Sequence, residues 1–133
     1  MNEEKIKVIL LEPNKLAKIT EINNNLKSMQ KIVKGYIEVY SPFTDNTCFI
    51  VNEEGKNNNL PLNRAIYDDN KNMIEIIAGT AFICGNGSTE KFESLSEEQI
   101  NYYMKQFKYP EKFFRINDEI KAIPYNPQHE LER

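Results

Sequence analysis

Apolar residues along this chain follow two spacings, and each marks a different kind of element. Lys5–Glu12 (KIKVILLE) begins in alternation and runs into a continuous apolar stretch, which predicts a partly buried strand closed by Pro13-Asn14. Leu16–Glu21 follows as a short hairpin partner. Tyr36–Tyr40 and Thr47–Val51 are rich in aromatic and β-branched residues and read as strands, the second ending in the turn signal Asn52-Glu-Glu-Gly55. Met73–Ile77 and Ala81–Cys84 are two further strands, interrupted or bulged at Gly79. Ile116–Ile123 reads as a last short strand. Between them, Leu60–Ile66 has a spacing too broken to assign.

Two segments carry the helical spacing. Ile22, Leu26, Met29 and Val33 predict a helix over Asn23–Lys34, with Asn23 or Asn24 as its cap and Gly35 as its stop. Ile100, Tyr103, Met104 and Phe107 predict a second over Leu95–Lys108, opened by a capping box of Ser96 with Gln99 or Ser94 with Glu97. Tyr102 falls on the opposite side of that helix and is expected at the surface. Strands mixed with two helices, without repeats or a long linker, predict an α+β fold: a mostly antiparallel sheet with two main helices packed on it. The domain is expected over residues 1–124, and 125–133, with two prolines nearby and little apolar mass, reads as a loose tail.

At 133 residues the chain has the size of one domain and can bury a core without staples. The net charge of −3, with lysines interleaved among acids, disfavours a nucleic-acid polymer, which would need a basic block to displace counterions. A small anionic ligand needs only two or three placed cations and stays open. No signal peptide and no membrane-length apolar run are visible, so a cytoplasmic protein is expected, with no membrane partner. Cys48 and Cys84 lie in separate apolar stretches and read as two reduced core thiols. Strand edges with few guards point to a homo-oligomer, at least a dimer.

The single histidine, His129, sits in the tail, and one His with two distant Cys fits no common zinc spacing. Nucleophile-base chemistry of the triad kind is therefore not expected, nor is a metal or other cofactor. Gly85-Asn-Gly87-Ser lacks the rest of a phosphate loop and reads as a hairpin loop, and Asp68-Asp69 reads as a solvated turn. Arginine use is more informative. The chain carries 14 Lys but only Arg64 and Arg115 within the fold, besides the terminal Arg133. Lys cannot make a bidentate fork to phosphate or stack flat on a base, so these two arginines are candidate ligand contacts, Arg64 with Asn63 beside it and Arg115 after Phe113-Phe114. A buried Arg–carboxylate bridge at each site is the competing reading. Thr80 and Phe82, following Gly79, add a hydroxyl and a ring face to the candidate set, against a plain bulge with a core Phe.

Six blocks recur in one order: KVILLEP, KIVKGYIEV, NEEGK, PLNRAI, IIAGTAFI and LSEEQI. From about Lys5 to Ile123 the chain resembles a family of small phage and mobile-element proteins labelled a domain of unknown function. It is also similar in these blocks to the anti-Thoeris nucleotide sponges of phages. That resemblance implies a non-enzymatic protein that sequesters a cyclic ADP-ribose signal made by a bacterial TIR enzyme, or a related cyclic oligonucleotide, and returns it unchanged. Two other readings are a protein-interaction module acting on a host factor and a small hydrolase of the same signal.

Overall fold

The computed structural model describes residues 4–87 and 91–128. Among them, nine strands and two helices follow the order β1 (Lys5–Leu11), β2 (Lys18–Asn23), α1 (Leu26–Val33), β3 (Ile37–Tyr40), β4 (Thr47–Asn52), β5 (Leu62–Tyr67), β6 (Met73–Ala78), β7 (Ala81–Gly85), α2 (Glu97–Phe107), β8 (Glu111–Ile116) and β9 (Glu119–Pro124). The fold is α+β. Its centre is a five-stranded antiparallel sheet in the order β2-β1-β7-β4-β3, with two antiparallel ribbons, β5-β6 and β8-β9, outside it.

Period-two alternation divides the sheet into two faces. On one, Ile6, Val8, Cys48, Ile50, Phe82 and Cys84 pack under Met29 and Val33 of α1. On the other, Ile9, Leu11, Phe49, Ala81 and Ile83 pack under the β5-β6 ribbon, through Ile66 and Ile77, and under α2, through Tyr103 and Phe107. Cys48 and Cys84 face each other across β4 and β7 as buried thiols, with their sulfurs 3.7 Å apart. The continuous apolar runs of β4 and β7 follow from this three-layer arrangement, because both faces of the central strands are covered.

Several boundaries differ from the sequence reading. β2 runs on through Asn23, so Ile22 belongs to a strand, and α1 begins later. Asn25 is its cap: the side chain accepts from Ser28 N at 2.8 Å. At the other end Lys34, at φ 64°, takes the left-handed position that ends the helix. Gly35 is needed next because a Cβ there would stand 2.7 Å from the Asn52 Nδ2 atom. α2 keeps the Ser96–Gln99 capping box but spans only Glu97–Phe107. The strands before and after Gly79 are not one interrupted strand: β6 belongs to the outer ribbon and β7 to the central sheet. The chain crosses between them at Gly79, φ 84°, where a Cβ would stand 2.7 Å from Leu60 Cδ1. The last strand is a hairpin, β8-β9, turned by Asn117 and Asp118 at φ 51° and 66°, the two positive angles of a type I′ turn. At the start of the expected tail, Tyr125 is anchored, its N–H donating to Pro110 O at 2.9 Å and its hydroxyl to Asn14 Oδ1 at 2.7 Å. His129 lies outside the described residues, as does Ser88 of the Gly85 loop. Among the described residues no helix is long and apolar enough to cross a membrane.

Candidate functional site

The broken pattern of Leu60–Ile66 has a structural cause. It is a strand, β5, whose two polar residues point inward: Asn63 and Arg64 are both fully buried. Asn63 Nδ2 donates to Leu11 O at 2.9 Å and to Gly79 O at 2.8 Å, while its Oδ1 accepts from Arg64 at 2.8 Å. The Arg64 guanidinium also donates to Phe107 O at 3.1 Å, Glu12 O at 3.2 Å and Lys15 O at 2.9 Å. Burial, against the nearby charge of Glu111, brings its pKa down to about 10. The pair thus ties the end of β1, the turn after it, the β6–β7 crossing and the C-terminus of α2 to β5. A planar cation with donors in several directions is what this set of carbonyls requires.

Asn63 and Arg64, expected as ligand contacts, thus lie in the core of the fold. Their polar groups are engaged with backbone groups and with each other, and the hydrogen bonds that Arg64 donates run to carbonyl oxygens rather than to a carboxylate. Phe82 is likewise a fully buried core residue, packed on the α1 side of the sheet. Thr80 is half-buried at the crossing that follows Gly79. Arg115 is exposed on β8, opposite Ile120. The five residues do not converge on one site.

A cleft is built elsewhere, between α2, the loop from residue 41 to 46, and the β5–β6 turn. Two adjoining hollows of about 470 and 350 Å³ share Phe43, Asp68, Asp69, Tyr102 and Tyr103. Tyr67, Lys71 and Glu111 extend the larger, and Asp45 and Ile74 the smaller. The volumes fall in the range of small-molecule sites. The 41–46 loop is held to the body through Asp45: its carboxylate accepts from Thr47 Oγ1 at 2.5 Å and from the Tyr103 hydroxyl, and its carbonyl accepts from Gln99 Nε2 at 2.7 Å. The turn is held by Asp68, whose Oδ1 accepts from the N–H groups of Asn70 and Asn72, each at 2.9 Å.

Between these supports stand aromatic rings. Phe43 stacks near Tyr103, centroids 6.1 Å apart, and Tyr102 meets Tyr103 edge-on at 5.0 Å. Tyr103 is buried, but Tyr102 is 56% exposed and offers its ring to the cleft. The charges are unbalanced: Asp45, Asp68, Asp69 and Glu111 against Lys71. Burial holds the Glu111 carboxyl above its ordinary range, opposed by the Ala65 N–H bond at 2.7 Å and by Arg64. Burial and then the Asp45 hydrogen bond push the Tyr103 hydroxyl well up. Among the described residues no three His, Cys, Asp or Glu side chains group as metal ligands, the cleft's acids included. Ring faces beside carboxylate acceptors suit a planar group with N–H donors, or a cation over a ring.

A family model described as a domain of unknown function, DUF3846, matches residues 6–108. The chain belongs to the DUF3846 family. No curated protein and no solved structure matches it. The DUF3846 match contains the walls at Phe43, Tyr67, Asp68 and Tyr102, and also the Asn63–Arg64 hub. Glu111 and the β8-β9 hairpin follow its end. Of the cleft residues, Tyr102 was legible as an outward-facing helical position and Asp68-Asp69 as a turn. What joins them to Phe43 and Glu111 is the packing of α2 beside β5, which no local spacing records.

Proposed function

We propose that this DUF3846 protein acts by binding rather than turnover, capturing a small nucleotide signal by its base in the cleft between α2 and the β5–β6 turn. The observation that carries the reading is the cleft itself: accessible ring faces at Phe43, Tyr67 and Tyr102 beside the carboxylates of Asp68, Asp69 and Glu111. An adenine or cytosine stacks on such rings, and its exocyclic amine donates to carboxylates. A cyclic ADP-ribose-type signal, the ligand implied by the resemblance, fits this reading with its base inward and its phosphates outward. The acidic rim opposes phosphate at the rings, so the phosphate-clamp form of the idea gives way to base recognition.

A second reading is favoured by the excess of acid: a basic side chain of a partner protein seated over Tyr102, as an interaction module would use. Calorimetry separates the two. Adenosine and cytidine are expected to bind more tightly than inosine and uridine, which lack the amine, and ADP-ribose no more tightly than adenosine. Binding of arginine amide with none of the nucleosides binding would favour the second reading. Affinity that rises steeply with phosphate count and falls with salt would place the ligand elsewhere on the protein.

A further inference from the structure

The acids around the cleft are not equally free to meet a ligand. Asp45 spends both carboxylate oxygens within the protein, one on Thr47 and one on the Tyr103 hydroxyl. Asp68 Oδ1 accepts two N–H groups of its own turn. Asp69 is exposed, where water competes for its oxygens and a ligand gains little by replacing it. Glu111 differs. It is half-buried in the wall of the larger hollow, and only one of its oxygens is engaged: Oε1 accepts from Ala65 N at 2.7 Å. Oε2 accepts no hydrogen bond from the described residues. Arg64 lies near enough to attract the carboxylate but donates to carbonyl oxygens instead.

The backbone that carries Glu111 is fixed. Pro110 before it is buried, and its carbonyl accepts from Tyr125 N at 2.9 Å. Glu111 itself opens β8 opposite Pro124 of β9. The side chain is thus held at both ends, by the hairpin and by β5, as a group that discriminates between ligands has to be. We infer that Glu111 sets base specificity in this cleft: its free oxygen accepts from the exocyclic amine of a base stacked on the rings, so that an amino base is chosen over its keto counterpart. This rests on base capture in the cleft, as proposed, and names the acid that selects. The rings at Phe43, Tyr67 and Tyr102 lie within the DUF3846 match and Glu111 follows it, so the hairpin supplies the specificity.

The Ala65 N–H makes the test sharp, because it fixes how an amide sits at this position. In Glu111→Gln the amide oxygen stays on the Ala65 N–H, which turns the NH2 group toward the cleft. An acceptor for an amine becomes a donor to a carbonyl. By calorimetry at mildly alkaline pH, the parent is expected to bind adenosine at least about tenfold more tightly than inosine, and Glu111→Gln should reverse that order. Glu111→Asp keeps the charge but draws the carboxylate back by one methylene, and should lose most of the preference without reversing it. A structural role would weaken both nucleosides together and leave their ratio alone, and a general effect of charge would leave Glu111→Asp like the parent. Asp69→Asn should keep the parent's ratio. If the parent binds neither nucleoside, or if Tyr102→Ala binds adenosine as tightly as the parent, base capture itself fails and the inference with it. If adenosine binding depends on Tyr102 but the parent does not discriminate, or both Glu111 variants keep its preference, or Asp69→Asn abolishes it, the inference alone is overturned.

Discussion

Replacing Arg64 by Lys keeps the charge and nearly the length, and removes the fork. The guanidinium meets four acceptors: the carbonyls of Phe107, Glu12 and Lys15, and Asn63 Oδ1. An ammonium has three protons on one atom, so at least one acceptor loses its donor, and the others are reached at poorer angles. A buried polar group left without a partner costs about 1–3 kcal/mol. With one acceptor abandoned and the rest weakened, Arg64→Lys should cost about 2–4 kcal/mol. That is a large share of the ~5–15 kcal/mol that holds a domain folded. For a chain of this size it corresponds to a fall in Tm of roughly 8–16 °C, read by circular dichroism. Arg64→Met, which leaves all four acceptors without their Arg64 donor, should be worse and should express poorly. A structural role for the fork is refuted if Arg64→Lys melts within about 2 °C of the parent. A variant that melts normally but loses affinity for adenosine would show instead that the guanidinium serves a ligand.

Three further outcomes follow from the same contacts. Tyr102→Ala should cost only the edge contact with Tyr103, about 0.5–1.5 kcal/mol of stability, while weakening adenosine binding by roughly tenfold or more; calorimetry beside a melting curve checks both halves. Gly79→Ala should destabilise by about 1–3 kcal/mol in urea titrations, because φ 84° suits no L side chain and the new Cβ would meet Leu60. Glu111→Gln should alter the pH dependence: burial raises the folded carboxyl above its ordinary 4.5, so its ionisation opposes folding, and the parent should gain stability relative to the variant as pH falls from neutral toward that value. Parallel denaturation curves for the two proteins across that window would refute the assignment.

Much of the architecture was legible because each element carries its own period. The Ser96 capping box and the Ile100, Tyr103, Met104, Phe107 spacing marked α2 nearly to its ends, and the apolar runs of β1, β4 and β7 marked strands, though not that both their faces are covered. β5 was hidden because its inward residues are Asn63 and Arg64, polar groups whose burial makes sense only once the carbonyls of Leu11, Gly79 and Phe107 stand around them. For the same reason Arg64 read as a ligand contact: sequence shows that a guanidinium is required, not which acceptors require it. β8 carries no strand signal of its own, because Glu111, Phe113 and Arg115 alternate with Lys112, Phe114 and Ile116 without a polar face. The cleft joins residues from position 43 to 111 through tertiary packing alone, so only its separate pieces were visible.

The central claim is capture without turnover at this cleft. The direct test saturates the protein with cyclic ADP-ribose, removes unbound material, releases the remainder by heat and weighs it by mass spectrometry, with Tyr102→Ala run alongside. The expected result is intact ligand, one per cleft, recovered without added divalent metal and strongly reduced in the variant. Recovery of a linear or cleaved nucleotide, depletion beyond one ligand per cleft, or equal retention by Tyr102→Ala would contradict it.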